Sequence, residues 1–413
     1  MIMTTMPTTS FKLPVLPFLL PVLAVACALP MLPAAEPVAV AVAAAPVDLK
    51  LPDPLVTLGG EKVTTKEAWE KTRRTEVLEL FRKNIYGRAP VGRPEGLKFE
   101  VIDSAPDAME GKATRKQVKI SWHGPGGEGS LKLVLFIPNG LNKPAPCFLL
   151  ICNRPAAANI DPTRAVKSPF WPAEQIVARG YAAAAFYNGD VAPDKHDEFK
   201  SGVFKAFDTA PRTGESWGTI AAWAWGASRA LDYLVTDAGI DAKRVGVVGH
   251  SRGGKTALWA GAEDERFAMV VSNDSGSTGA ALARGKTGEK IRDINRVFPH
   301  WFNGNYKAFA DREDELPVDQ HMLAALIAPR VLYIASATED DWAHPKNEFL
   351  SGVYASPVYR LYGLEGLTGK TFPNPDAPVQ GGGMGYHLRT GKHNLTEYDW
   401  GCFMDLAGRE YKN

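Results

Sequence analysis

Apolar and polar positions along the chain change period several times. Residues 13–32 form a nearly unbroken apolar run interrupted by Pro14, Pro17, Pro21 and Pro30. Over 65–86 the spacing becomes helical, with Trp69, Val77, Leu80, Phe81 and Ile85 available to one face. Runs at 97–102, 116–122 and 131–137 read as strands, separated by Gly/Pro turns at 123–129 and 138–140. Continuous apolar runs at 146–152 and 181–187, the second after a helix over 172–179, fit strands buried on both faces. A regular alternation follows: a long helix at 216–236, a strand at 244–248, a helix at 254–263 and a strand at 267–272. After an excursion to about residue 316 come a strand at 328–335, a helix at 345–354, a strand at 384–389 and a helix at 396–407. Antiparallel strands followed by strand–helix alternation predict an α/β fold with a mixed, mostly parallel central sheet between two helical layers. No linker divides 48–413, so one catalytic domain is expected there.

The N-terminus has a different character. Lys12 precedes the apolar run, the pattern of a secretory signal, and the prolines argue against a stable membrane-spanning helix. Ala24-Val25-Ala26 is a cleavage candidate just before Cys27, while Ala24 stands where a lipoprotein signal would carry Leu. The expected organisation is a signal and the start of a tether over 1–35, an Ala/Pro/Val-rich tether over 36–47, and a secreted or periplasmic enzyme that is a monomer. With 47 Lys and Arg against 46 Asp and Glu, the net charge of +1 gives no electrostatic case for nucleic acid. Cys147 and Cys152 fall on opposite faces of one strand and cannot easily pair with each other; Cys402 could meet one of them across the fold, but buried free thiols are the favoured reading. No Cys/His spacing suggests a metal, and no cofactor is called for.

The chemistry concentrates after the strand at 244–248. Gly249-His250-Ser251-Arg252-Gly253 is a G-x-S-x-G pattern between a strand and a helix, the setting in which a sharp turn exposes a nucleophilic serine. The glycines admit the close backbone approach, and the N–H after Ser251 can donate to an oxyanion. Among the eight histidines, His393 lies in a loop directly ahead of the last helix, where the base of such a site belongs. His387 is nearby on a strand; His250 and His321 read as structural. The acid has two candidate places: one of the three carboxylates Glu339, Asp340 and Asp341 after the strand at 328–335, or Asp274 after the strand at 267–272. Arg252 beside the nucleophile suits an oxygen-rich acyl group. Lys255 shares the Ser251 face of the helix, Trp342 offers a flat face to a sugar ring, and Glu289 could accept from vicinal hydroxyls.

Together Gly249 to Lys255, Ser272 to Gly276, Leu316 to Leu323 and Ser336 to Pro345 make the chain resemble the glucuronoyl esterases of carbohydrate esterase family 15, above all the bacterial members. The resemblance covers most of 48–406. It implies an α/β-hydrolase that cleaves esters between (4-O-methyl-)glucuronate on xylan and lignin alcohols, without metal or cofactor. It further implies Ser251 as nucleophile, His393 as base, Arg252 as oxyanion stabiliser, and Lys255, Glu289 and Trp342 as sugar-binding residues. Asp340 ranks ahead of Asp274 as the acid. His344 departs from the pattern, since an Asp often follows Trp-Ala in relatives. Two further readings stand beside this one: an acetyl-xylan or general carboxylesterase, and a carbohydrate-binding relative without activity.

Overall fold

Strand-forming runs align into a ten-stranded mixed sheet in the computed structural model, which describes residues 49–368 and 371–411. The expected signal and tether over 1–47 lie outside the described residues. The strands are β1 Lys98–Ala108, β2 Ala113–Gly124, β3 Gly127–Pro138, β4 Ala145–Cys152, β5 Ala182–Tyr187, β6 Ile240–His250, β7 Met269–Asn273, β8 Val331–Ala337, β9 Val379–Gly381 and β10 Met384–Arg389. Their order is β1-β2-β3-β5-β4-β6-β7-β8-β10-β9. The β1–β2–β3 meander joins β5 antiparallel, the stretch from β5 to β10 is parallel, and β9 returns antiparallel.

The central strands read as unbroken apolar runs because both faces are covered. Along β4, Cys147, Leu149 and Ile151 join one buried cluster, whereas Phe148, Leu150 and Cys152 join the other. Period-two alternation therefore sends neighbouring side chains into two different cores. The first core packs under helices Thr219–Leu234 and Arg252–Glu263, and the second under Ala173–Ala178 and Glu397–Glu410. This is the three-layer architecture of an α/β-hydrolase. Cys147, Cys152 and Cys402 are buried free thiols, as expected.

The early helical segment runs from Lys66 to Tyr86, with π-helical turns at Trp69–Arg73 and Arg82–Tyr86. Trp69, Val77, Phe81 and Ile85 are fully buried, while Leu80 is partly so. Helices Ala156–Asn159, Gly202–Phe207, Ile291–Val297 and Gln320–Ala325 were not foreseen, and neither was β9. Helix Pro345–Arg360 also runs past the expected end at 354, through Pro357. Among the described residues, no helix is long and apolar enough to cross a membrane.

Candidate active site

In the parallel part of the sheet the strands end on one edge, and that edge collects the candidate residues. Ser251 follows β6, Asp274 follows β7, Asp340 follows β8 and His393 follows β10. Loops at the carboxyl ends of parallel strands are where such folds place their chemistry.

Ser251 has φ 56° and ψ −124°, a conformation that costs a non-glycine residue about 1–3 kcal/mol. The turn is held from both sides: its N–H donates to the Asn273 carbonyl at 2.9 Å, and its carbonyl accepts from Gly254 and Lys255. A Cβ on Gly249 would lie 1.9 Å from the Gly253 carbonyl oxygen, so the turn closes only over glycine. Helix Arg252–Glu263 begins immediately after Ser251, and its first N–H groups have no partners within the helix. The Ser251 turn and a helix start of the kind that attracts anions thus arise from one backbone feature.

His393 and Asp340 meet across two loops. His393 Nδ1 hydrogen-bonds Asp340 Oδ2 at 2.6 Å; the Asp340 side chain is 7% exposed and that of His393 41%. The His393 ring lies 4.5 Å from that of His250, the neighbour of Ser251. Thr338 and Glu339 donate backbone N–H groups to the carbonyls of Arg389 and Gly391, and Gly391 N–H returns a bond to Thr338 Oγ1. These contacts staple the Asp340 loop to the His393 loop.

Asp274 sits behind this pair, buried, with φ 44°. Its Oδ2 accepts from the Asn394 N–H at 3.0 Å, and Arg389 lies 3.8 Å away. Burial, reinforced by the carboxylates of Glu348, Asp340 and Asp399, raises its pKa well above the usual carboxylate range. Ligand atoms of Asp274, Asp340 and His393 lie within 4.8 Å of one another, close enough to share a cation. The Nδ1 of His393 is nevertheless already committed to Asp340, which is hydrogen-bonding rather than ligand geometry.

His387 is not part of this group. It is fully buried, contacts the Tyr333 hydroxyl through Nδ1 and bonds Asp399 through Nε2 at 2.8 Å. Asp399 also holds Arg389, whose guanidinium donates to the carbonyls of Lys392 and Asn394 on either side of His393. His387 is thus a strut under the His393 loop. Sequence reasoning missed Arg389 and Asp399 in this role; the signal available was Thr396-x-x-Asp399, which forms the capping box of the last helix. His321, expected to be structural, bonds the Pro52 carbonyl in the interior, and His250 bonds Asn273.

A second group of polar residues gathers around Arg252 and Lys255 of the helix that follows Ser251. Lys255 is buried, donates to the Ser275 and Ser277 carbonyls at 2.6 and 2.5 Å, and lies 3.6 Å from Glu289. Burial lowers its pKa, and Glu289 acts in the opposite direction. Glu289 lies in the loop before helix Ile291–Val297, and its N–H donates to the Trp342 carbonyl at 3.1 Å. Trp342 is 57% exposed, so its ring is not a core element. Beneath it Lys286, also unforeseen, donates to the Trp342 and Ala343 carbonyls. Arg252 is paired with Asp194 and lies over the rings of Trp301 and Phe298 at 4.8 and 5.3 Å. Its Nε–H is buried without a partner among the described residues.

Residues 153–363 match the family model described as glucuronyl esterase, fungi. A carbohydrate esterase from an unknown prokaryotic organism is 42% identical over 386 residues, covering 86% of this chain and 88% of that protein. The glucuronoyl esterase of Solibacter usitatus superposes with a TM-score of 0.82 at 40% identity, over 87% of this chain and 98% of that one. A promiscuous CE15 esterase from a marine bacterial metagenome gives a TM-score of 0.79 at 41% identity, over 87% and 96% of the two chains.

Proposed function

The chain belongs to the glucuronoyl esterases of carbohydrate esterase family 15, and on that premise we propose that it cleaves esters of (4-O-methyl-)glucuronate on xylan with lignin alcohols through Ser251, His393 and Asp340. The observation that carries this reading is the 2.6 Å bond from His393 to Asp340 beside the Ser251 turn. Arg252 and Lys255 follow Ser251 on its helix, Glu289 lies 3.6 Å from Lys255, and the exposed Trp342 follows Asp340 on its loop.

In the proposed route His393 Nε2 takes the Ser251 proton as the hydroxyl attacks C6 of the uronate ester. Asp340 fixes the imidazole tautomer through Nδ1 and stabilises the cation that forms. The developing oxyanion is met by the N–H groups at the start of helix Arg252–Glu263 and by the Arg252 guanidinium, whose Nε–H is unpartnered. Collapse expels the alcohol with the proton from His393 and leaves an acyl-enzyme, which water activated by His393 hydrolyses to free glucuronate. No step calls for a metal or cofactor. Trp342 offers its face to the sugar ring, while Glu289 and Lys255 sit where hydroxyls would be gripped. The apolar run after Lys12 supports export to the periplasm or beyond, where such substrates occur.

A general carboxylesterase is the second reading, favoured by the promiscuity named for the metagenomic neighbour. Hydrolysis of benzyl glucuronate beside p-nitrophenyl acetate, by wild type and Ser251→Ala, separates the two. The uronate ester is expected to be strongly preferred, with kcat falling roughly 10³- to 10⁶-fold in the variant. Preference for the acetate would move the assignment to the general esterase, and activity surviving in Ser251→Ala would overturn the mechanism.

A further inference from the structure

Arg252 is an unusual cation to find beside a nucleophilic serine, and the structure surrounds it with a dedicated cage. Its Nη1 pairs with Asp194, and its guanidinium lies over the stacked rings of Phe298 and Trp301, whose centroids are 3.7 Å apart. Asp194 is itself fixed: Oδ1 accepts from Trp301 Nε1 at 2.8 Å and bonds His300 Nε2 at 3.0 Å. Although burial works against its charge, the bonds from His300, Trp301 and Arg252 bring its pKa to about 2, so Asp194 stays ionised at any working pH. Trp301 thus lends its face to the guanidinium and its N–H to the carboxylate. The neighbouring cation repeats the arrangement, since Lys255 lies 3.6 Å from Glu289.

This pairing has a consequence that follows from ester chemistry. The acyl group arrives as a neutral ester and leaves as a carboxylate. A bare guanidinium at the oxyanion position would stabilise the transition state, but it would also hold the anionic product by a charge-assisted hydrogen bond. A counter-charge fixed on the far side keeps the donors pointed inward while lowering the net attraction for a full carboxylate.

We propose that Asp194 is a positioning and charge-balancing residue: it aims Arg252 at the ester carbonyl and, by neutralising it, lets the glucuronate product leave. The inference rests on the proposed uronate esterase reading. It separates Asp194 from a merely structural residue by sign, because loss of a structural contact would weaken binding of the product, whereas loss of the counter-charge strengthens it.

The test measures binding of glucuronate by calorimetry at low ionic strength to wild type, Asp194→Asn, Asp194→Glu, Arg252→Gln and Asp194→Asn/Arg252→Gln. Asp194→Asn is expected to bind glucuronate about tenfold more tightly, with kcat on benzyl glucuronate reduced and product inhibition increased. Asp194→Glu should restore values near wild type, and Arg252→Gln should bind glucuronate more weakly than the double variant, which carries neither charge. Unchanged or weaker glucuronate binding by folded Asp194→Asn, or an Arg252→Gln variant that binds no more weakly than the double variant, would overturn the proposal. Should Asp194→Asn not fold, Arg252→Gln alone carries the test. Its uncompensated Asp194 would repel glucuronate, so affinity should rise as salt is added, and a falling or flat salt response would overturn the proposal. Binding is read without turnover, so absence of uronate ester hydrolysis by wild type would count against the proposed function and not against the charge pairing.

Discussion

Two carboxylates lie close to His393, and their chemistry differs although both are aspartates. Asp340 accepts from Nδ1 at 2.6 Å and gives its other oxygen to the Ala343 N–H. Asp274 is buried among Glu348, Asp340 and Asp399, an environment that favours its protonated form. A protonated acid resembles asparagine in shape and charge, so Asp274→Asn should change kcat on a glucuronate ester by less than about tenfold. Asp340→Asn should instead leave the imidazole in the wrong tautomer and lower kcat by roughly 10³- to 10⁴-fold. Steady-state rates at pH 7 for the two variants decide between them, and the reverse ranking would assign the triad acid to Asp274. Sequence alone offered both positions because each follows a strand in the right order. What separates them is direction and burial, which depend on the loops of β8 and β10 being stapled together. The same limit hid Arg389, Asp399 and Asp194, whose roles exist only through partners distant in the chain.

At the scale of elements, the loop carrying Asp340 and Trp342 depends on the segment over 285–289. Lys286 and Glu289 donate to its carbonyls, and the Thr287 N–H reaches His344 Nδ1 at 3.3 Å. That last bond needs Nδ1 unprotonated. Burial, with help from Lys286 and Lys346, lowers the His344 pKa to about 4. A histidine whose pKa is lower in the folded state makes the unfolded chain bind more protons between pH 6.5 and 4, so stability falls as pH falls through that window. Melting temperature should therefore drop from pH 6.5 to pH 4, and His344→Gln should make that drop shallower; an identical slope in both proteins would refute the assignment. Elements with a clear period were legible from sequence, including every strand of the parallel core. Helix Gln320–Ala325 was not, because it is buried all round and shows no polar face. β9 has only three residues, too few to establish alternation. Pro357 made helix Pro345–Arg360 look shorter than it is, since proline forfeits one hydrogen bond without always ending a helix.

For the molecule as a whole, the question is how the early helical segment, far from the active serine in sequence, comes to support it. Tyr86 ends that segment, stacks on Trp259 of helix Arg252–Glu263 at 4.3 Å and 14°, and meets Phe302 edge-on. Its hydroxyl donates to the Thr278 carbonyl at 2.9 Å, and its own carbonyl accepts from the Gly218 N–H. One fully buried side chain therefore ties the N-terminal segment to the helix behind Ser251 and to the excursion that leads to Glu289. Tyr86→Ala should cost about 3–5 kcal/mol, as for other large buried aromatics, whereas Tyr86→Phe loses only the hydroxyl and should cost about 1–3 kcal/mol by leaving a buried carbonyl unpaired. Denaturant midpoints measure both losses. If the contact also steadies the nucleophile helix, kcat of the alanine variant should fall well below its folding temperature, while the phenylalanine variant stays near wild type. A stability loss with kcat unchanged in both would mean that the nucleophile turn is held by its own close contacts, Gly249 against Gly253 and Ser251 against Asn273, and that the early segment serves the core alone.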